Sequence, residues 1–317
     1  PWTCGSTPER WKGRVPGKMT SAKYETDILM IGHLAKDRNI VDGQGEMATG
    51  GGVYFGSMAL RRLDVDVAVL TRLHPDDFGL LEEMKQAGVR VFATAAPETS
   101  GIANYYDSSD MERRICKPLG FAGVFSPAEL PDVEARIYVI ASIIAGEVDL
   151  PLLKELARRG PVAIDVQGFV RVREGQDLVF RPWGDMAVGL AQVTYLKTDR
   201  AEAELLTGES DLRVAARRLA EFGPREVVIT ESSGVTVYAD GRFCHGPFTP
   251  TSLRGRTGRG DTCFSTYLGR RLTASVEDAT KLAGAVTTLK QEQPGPWTGT
   301  LAEAESLVER QWENQTR

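Results

Sequence analysis

The chain has 317 residues, 42% hydrophobic and 26% charged, enough for one large domain with a sizeable core. Its formal net charge of −5 and the absence of any long Lys or Arg run argue against nucleic-acid or anionic-membrane binding and toward a small-molecule partner. Cys4, Cys116, Cys244 and Cys263 are scattered without a CxxC pair or metal-ligand spacing, so a reduced, cytoplasmic setting is expected.

The leader PWTCGSTPERWKGRVPGKM lacks an apolar signal core, and regular patterning begins near Asp27. Residues 1–26 are therefore expected to be an N-terminal extension outside the fold, and 27–317 a single domain. From there, short apolar runs alternate with helix-length amphipathic segments. DILMIG (27–32), VDVAVLT (65–71), RVFAT (90–94), RIYVIA (136–141), VAIDV (162–166), VTYLKT (193–198) and VVIT (227–230) read as strands. FGSMALRRL (55–63), FGLLEEMKQAG (78–88), LPLLKELARRG (150–160), AEAELLTG (201–208) and LRVAARRLAEFG (212–223) read as helices. Asp76 and Asp77 read as a helix-start cap. The alternation predicts an α/β fold with a mostly parallel central sheet flanked by helices on both faces, whose ligands collect at the carboxyl ends of the strands. The apolar run IYVIASIIAG (137–146) is far short of the roughly 20 residues a bilayer span needs.

Two segments depart from the alternation. HLAKDRNIVDGQGEMATGGGV is polar and Gly-rich and predicts a short extended flap, while ANYYDSSDMERRICKPLG (103–120) predicts a hairpin turning near Ser108–Asp110. The two, about 37–50 and 101–120, are expected to pair as a small β-strand lid over a pocket.

Near the C-terminus, RTGRGDTCFSTYLG (256–269) sets glycines around an arginine, then an aspartate, then a helical run. Glycines let the backbone approach a ligand, and a helix's first turn leaves N–H groups unpaired with partial positive charge. An anion would be held by the N–H groups of Gly258, Arg259 and Gly260, with the Asp261 carboxylate beside it ready to take a proton. That is the outline of a phosphoryl-transfer site. Competing motifs are weaker: His33, His74 and His245 lack zinc spacing, the RGD triplet at 259–261 sits in a glycine-rich loop, and GQGEMA (43–48) opens no helix.

These pieces resemble the ribokinase-like (PfkB) family of carbohydrate kinases from Asp27 to about Gln311. The resemblance rests on two glycine segments in the family's order, TGGGVYFGSMALRRL (49–63) and TGRGDTCFSTYL (257–268), with GHLAKD (32–37), TRLHPDDFG (71–79), KTDRAEAELLTG (197–208) and VVITESSGVTVY (227–238) between them. Within the family, GGGVYF (50–55), GEV (146–148) and VAIDVQGFVR (162–171) are similar to the myo-inositol kinase-like branch. Phe55 stands where ribokinases hold a ribose-binding Asn, which argues against ribose.

The resemblance implies a ribokinase-like fold and an ATP-dependent kinase of a small polyol or sugar, a cyclitol such as myo-inositol first. It makes Asp261 the general base and Gly258, Arg259 and Gly260 the anion hole, with the Arg259 guanidinium a further candidate for neutralising the phosphate. Asp37, the backbone of Gly50, Gly51 and Gly52, and Asn104 would bind the acceptor. Lys197, Asp199, Thr230 and Gly234 would face ATP. Glu202 would hold Mg²⁺ through water, and residues 282–290 would lie beside the adenine. Gln167 and Arg171 are placed near phosphate or substrate. Two alternatives stay open: a nucleoside kinase, for which Tyr54, Phe55, Tyr105 and Tyr106 are candidate stacking aromatics, and a non-catalytic ligand-binding relative. Either a monomer or a homodimer fits.

Overall fold

In strand β1 (Tyr24–Ile31), Ile28 and Met30 enter one apolar cluster while Leu29 and Ile31 enter another on the opposite face. That period-two division is what a sheet buried on both faces demands of its strands. The computed structural model that shows this describes residues 24–108 and 110–313, so nearly all of the expected extension, and Cys4 with it, lies outside the described residues.

The chain continues through β2 (Ala35–Val41), β3 (Gln44–Gly50), α1 (Gly52–Arg62), β4 (Val67–Leu73), α2 (Glu82–Gln86), β5 (Arg90–Ala95), β6 (Gly101–Asp107), β7 (Asp110–Gly120) and β8 (Val133–Ile140). After α3 (Leu150–Arg159) come β9 (Val162–Asp165), α4 (Gln167–Val170), β10 (Arg171–Glu174), β11 (Asp177–Phe180), α5 (Met186–Leu190), β12 (Tyr195–Asp199), α6 (Arg200–Thr207) and α7 (Leu212–Glu221). The last third holds β13 (Glu226–Glu231), β14 (Gly234–Ala239), β15 (Arg242–Pro247), α8 (Arg259–Arg271), α9 (Val276–Gln291) and α10 (Leu301–Glu313).

Nine strands form the central sheet in the order β15-β14-β13-β12-β9-β8-β1-β4-β5. Every pairing from β13 to β5 is parallel, and β14 and β15 extend the edge antiparallel. The expected α/β class and all seven expected strands are present. From β1 the chain goes outward to β4 and β5, then returns to the other side of β1 at β8. Such a reversal opens a crevice at the carboxyl ends of the strands, where ligands of open α/β sheets bind.

Segments 35–50 and 101–120 make a separate four-stranded sheet, order β3-β2-β6-β7, in which β2 and β6 run parallel. The flap is thus a full hairpin, tightened at Asp42 and Gly43, both at positive φ. The turn expected near Ser108–Asp110 includes residue 109, which lies outside the described residues. Three hairpins were not predicted: β10–β11, four residues per strand and largely exposed, and β13–β14 and β14–β15, which continue the central sheet past the expected strand VVIT. Asp76 and Asp77 occupy the first turn of a 3₁₀ segment (Pro75–Leu81), but His74 supplies its cap, accepting the Asp76 N–H at 3.2 Å, while Asp77 pairs with Lys36 at 2.7 Å. Among the described residues, no helix is long and apolar enough to cross a membrane.

Candidate active site

Strand ends build one wall of the cleft beside β1. β9 ends at Asp165, β12 at Asp199, and β13 delivers Thr230 one residue before its own end. The α8 N-terminus, with Arg256 to Asp261, forms the facing wall, and Gly51–Gly52 at the start of α1 close one side. The cavity spans about 810 Å³ with its solvent-filled mouth and also reaches Asp37, Ile102 and Asn104 of the small sheet.

Local chemistry fixes each of these parts. Gly258 caps α8 at φ +81°, a left-handed conformation that side chains with a Cβ adopt at a cost. A Cβ there would stand 2.3 Å from Cγ of Phe55, so the loop lies directly on that ring. Gly52 faces the base: a Cβ on it would meet Asp261 Oδ1 at 2.8 Å. The Asp261 carboxylate and the start of α1 therefore share one small space. Gly258→Ala is expected to cost about 1–3 kcal/mol in backbone strain, with the ring clash added, and to depress turnover. Chemical denaturation and initial rates check this.

Asp199 and Glu202 form a reciprocal helix cap. The Glu202 N–H donates to Asp199 Oδ1 at 2.9 Å and the Asp199 N–H donates to Glu202 Oε2 at 2.8 Å. Beside them the buried Lys197 ammonium lies 2.8 Å from Asp165 Oδ2 and 3.9 Å from Glu202 Oε2. Burial works against the Lys197 charge, yet the carboxylates of Asp165, Glu202 and Asp199 hold its pKa above the ordinary lysine range. Burial likewise raises the Glu202 carboxyl, against the pull of Lys197. Arg171, also buried, donates to Gln167 Oε1 at 2.6 Å and to the Ile143 carbonyl at 3.3 Å.

On the opposite side, Asp37 accepts the Ile102 N–H at 2.8 Å, and Asn104 donates to Asn39 Oδ1 at 3.2 Å. Asp37 and Asn104 are buried, so their polar groups are set before any ligand arrives.

Of the expected site residues, Asp37, Gly51, Gly52, Asn104, Lys197, Asp199, Thr230, Gly258, Arg259, Gly260 and Asp261 line this cleft. Gln167 and Arg171 line it too. Gly50, Glu202 and Gly234 do not. Gly50 packs behind Asp37, Glu202 lies under Asp199, and Gly234 pairs with Glu231 in the β13–β14 ladder. Residues 282–290 do not line the cleft either; Leu282, Ala285 and Val286 pack with Ala59, Trp297 and Ala304. Asp165 and Arg256 were missed. A carboxylate ending the strand VAID was the available signal for the first, and the arginine two residues before Gly258 for the second. The three-carboxylate or His/Cys clusters that hold a metal directly are absent among the described residues.

The family model of pfkB carbohydrate kinases matches residues 25–302. A pyrophosphate-dependent kinase of the ribokinase family, complexed with a pyrophosphate analogue and myo-inositol, superposes with a TM-score of 0.82 at 36% identity, covering 88% of this chain and 99% of its own. A pyrophosphate-dependent myo-inositol-1 kinase converted into a myo-inositol-3 kinase by mutation gives 0.81 at 35% identity, covering 90% and 99%. Ribokinase of Arabidopsis thaliana, complexed with ribose and ATP, gives 0.73 at 18% identity over 89% and 98%, a likeness of fold. A search of curated proteins by sequence finds no match.

Proposed function

Because the chain belongs to the pfkB family of carbohydrate kinases and is a phosphotransferase acting on a sugar or polyol, we propose that its donor is pyrophosphate and its acceptor a cyclic polyol, myo-inositol first. The observation that carries this reading is the Asp261 carboxylate, set in the first turn of α8 against Gly52 in a cleft that is also lined by Asp37 and Asn104 and by Lys197, Arg171, Arg256 and Arg259. Asp37 and Asn104 suit an acceptor whose hydroxyls both donate and accept. Lys197, Arg171, Arg256 and Arg259 suit a short polyanion.

In this reading the acceptor oxygen attacks the terminal phosphorus of the donor, the bridging P–O bond breaks, and inorganic phosphate leaves. Asp261 takes the hydroxyl proton as the new bond forms. The N–H groups of Gly258 and Gly260 bind the equatorial oxygens of the transferring group, where charge is greatest, whereas the Arg259 N–H expected to join them donates to the Arg256 carbonyl at 3.1 Å. Mg²⁺ would enter with the donor, neutralising its charge. Asp199 lines the cleft and suits a hydrated ion that keeps water between itself and the carboxylate. Glu202 suits this poorly, since it is buried, bonded to the Asp199 backbone and close to Lys197. Its place is to hold Asp199.

The preference for pyrophosphate over the ATP implied by the sequence resemblance has two supports. The neighbours at 36% and 35% identity are pyrophosphate-dependent. The segment after β15, next to where an adenine was expected, is bonded to α9 and the residue after it: Thr249 N–H to Thr288 Oγ1 at 3.1 Å, Thr251 N–H to Glu292 Oε1 at 2.9 Å and Gly255 N–H to the Gln291 carbonyl at 2.7 Å. Calorimetry with Mg²⁺ tests the donor. Inorganic tripolyphosphate and ATP are expected to bind alike, because the nucleoside adds no contact; ATP binding about tenfold or more tightly, some 1.4 kcal/mol, returns the reading to a nucleotide donor.

A further inference from the structure

We propose that Lys290 is a positioning residue for this reaction: its ammonium fixes and polarises the loop that offers backbone N–H groups to the transferred phosphate. The inference rests on the kinase reading above. Lys290 lies near the end of α9, 1% exposed, in the stretch LAGAVTTLK, where every other residue from 282 to 289 is uncharged. Its Nζ donates to the carbonyl of Gly255 and, at 2.5 Å, to that of Thr257. The same Nζ stands 5.2 Å from the centre of the Phe55 ring, the ring on which Gly258 rests.

The geometry reaches the site through one peptide unit. The Thr257 carbonyl that accepts from Lys290 belongs to the peptide group whose N–H is that of Gly258. An ammonium on the oxygen draws charge from the amide and strengthens the N–H as a donor at the other end, as hydrogen bonds in series do. The second contact, to Gly255, holds the start of the loop, which the Gly255 N–H to Gln291 carbonyl bond ties to the end of the same helix. Two carbonyls and an aromatic face are neutral partners, so the positive charge is carried into the interior without a carboxylate bonded to it. Burial accordingly lowers the lysine pKa to about 8, with the Asp261 carboxylate opposing the shift. A buried charge is costly to a fold that gains only packing from it. At the foot of an anion site it adds attraction in a low-dielectric medium, where Coulomb forces are strongest.

Lys290→Gln removes the charge while keeping N–H donors, and Lys290→Met removes both. In both variants kcat is expected to fall about 10- to 100-fold with the acceptor KM little changed, less than or similar to deleting one oxyanion donor. Affinity for inorganic pyrophosphate, measured by calorimetry without acceptor, should fall about tenfold. In Lys290→Met, ammonium chloride should restore part of the rate while tetramethylammonium chloride at equal ionic strength should not, because only the smaller cation can donate to the two carbonyls. The parent enzyme, carrying its own cation, should run equally in both salts.

Turnover and pyrophosphate affinity within about twofold of the parent in Lys290→Gln would overturn the proposal. So would a loss in Lys290→Met that ammonium relieves no better than tetramethylammonium. Should Lys290→Met fail to fold, the glutamine variant decides. A parent protein that phosphorylates no polyol removes the functional reading instead, and the pyrophosphate affinities still judge Lys290.

Discussion

Asp261→Asn is expected to lower turnover about 10²- to 10⁴-fold, the usual worth of a positioned general base, while leaving donor affinity nearly unchanged. The amide is the same size and keeps the packing against Gly52, whose missing Cβ makes room for Oδ1. What it loses is the ability to accept a proton. A carboxylate that served only to start α8 would behave differently, because asparagine is as good at helix N-termini as aspartate and the variant would keep its rate. Initial rates and calorimetry on the two proteins separate the cases.

Lys197→Met carries the second large effect, this time on stability. The substitution leaves Asp165 and Glu202 buried with Asp199 close by and no ammonium among them. Breaking a buried pair from one side typically costs about 3–5 kcal/mol, because the remaining charge is uncompensated. The pH dependence has a definite sign. Without Lys197 the folded chain should hold a proton on Glu202 more tightly than the unfolded chain does, so stability falls as pH rises through the carboxylate range and recovers on acidification. Urea unfolding at neutral pH and about two units lower checks both statements. Because burial already raises Glu202 while Lys197 is present, the variant should exaggerate an existing tendency. Adding Asp165→Asn should return part of the loss at neutral pH and weaken its pH dependence.

The parallel core was legible because its physics is local. β4 reads VAVLT and β9 VAID, runs with no polar face, and only a sheet covered on both sides accommodates them. The turn that starts α8 was legible for a similar reason: glycines just before an aspartate mark a tight turn into a helix within a few residues. The β10–β11 hairpin escaped because four-residue strands with exposed side chains carry almost no periodicity.

In the cleft, what stayed hidden depends on residues distant in sequence. Glu202 lies in the same short motif as Asp199, and a sequence motif cannot show that the carboxylate turns back to cap the helix rather than into the cleft. Lys290 is separated from Gly255 by 35 positions, and its role follows only from α9 passing beneath that loop. The adenine expected beside residues 282–290 came from the family resemblance; of those residues, Leu282, Ala285 and Val286 pack toward α1 and α10.

The most direct measurement is phosphorus NMR of the purified protein with Mg²⁺, pyrophosphate and myo-inositol, with ATP in place of pyrophosphate in a parallel sample. The account predicts a growing phosphomonoester signal matched by inorganic phosphate in the pyrophosphate sample, and neither in Asp261→Asn over the same period. A phosphomonoester formed from ATP alone would contradict the donor assignment. Phosphate release at an equal rate without any acceptor would contradict the claim that this cleft transfers a phosphoryl group to a polyol.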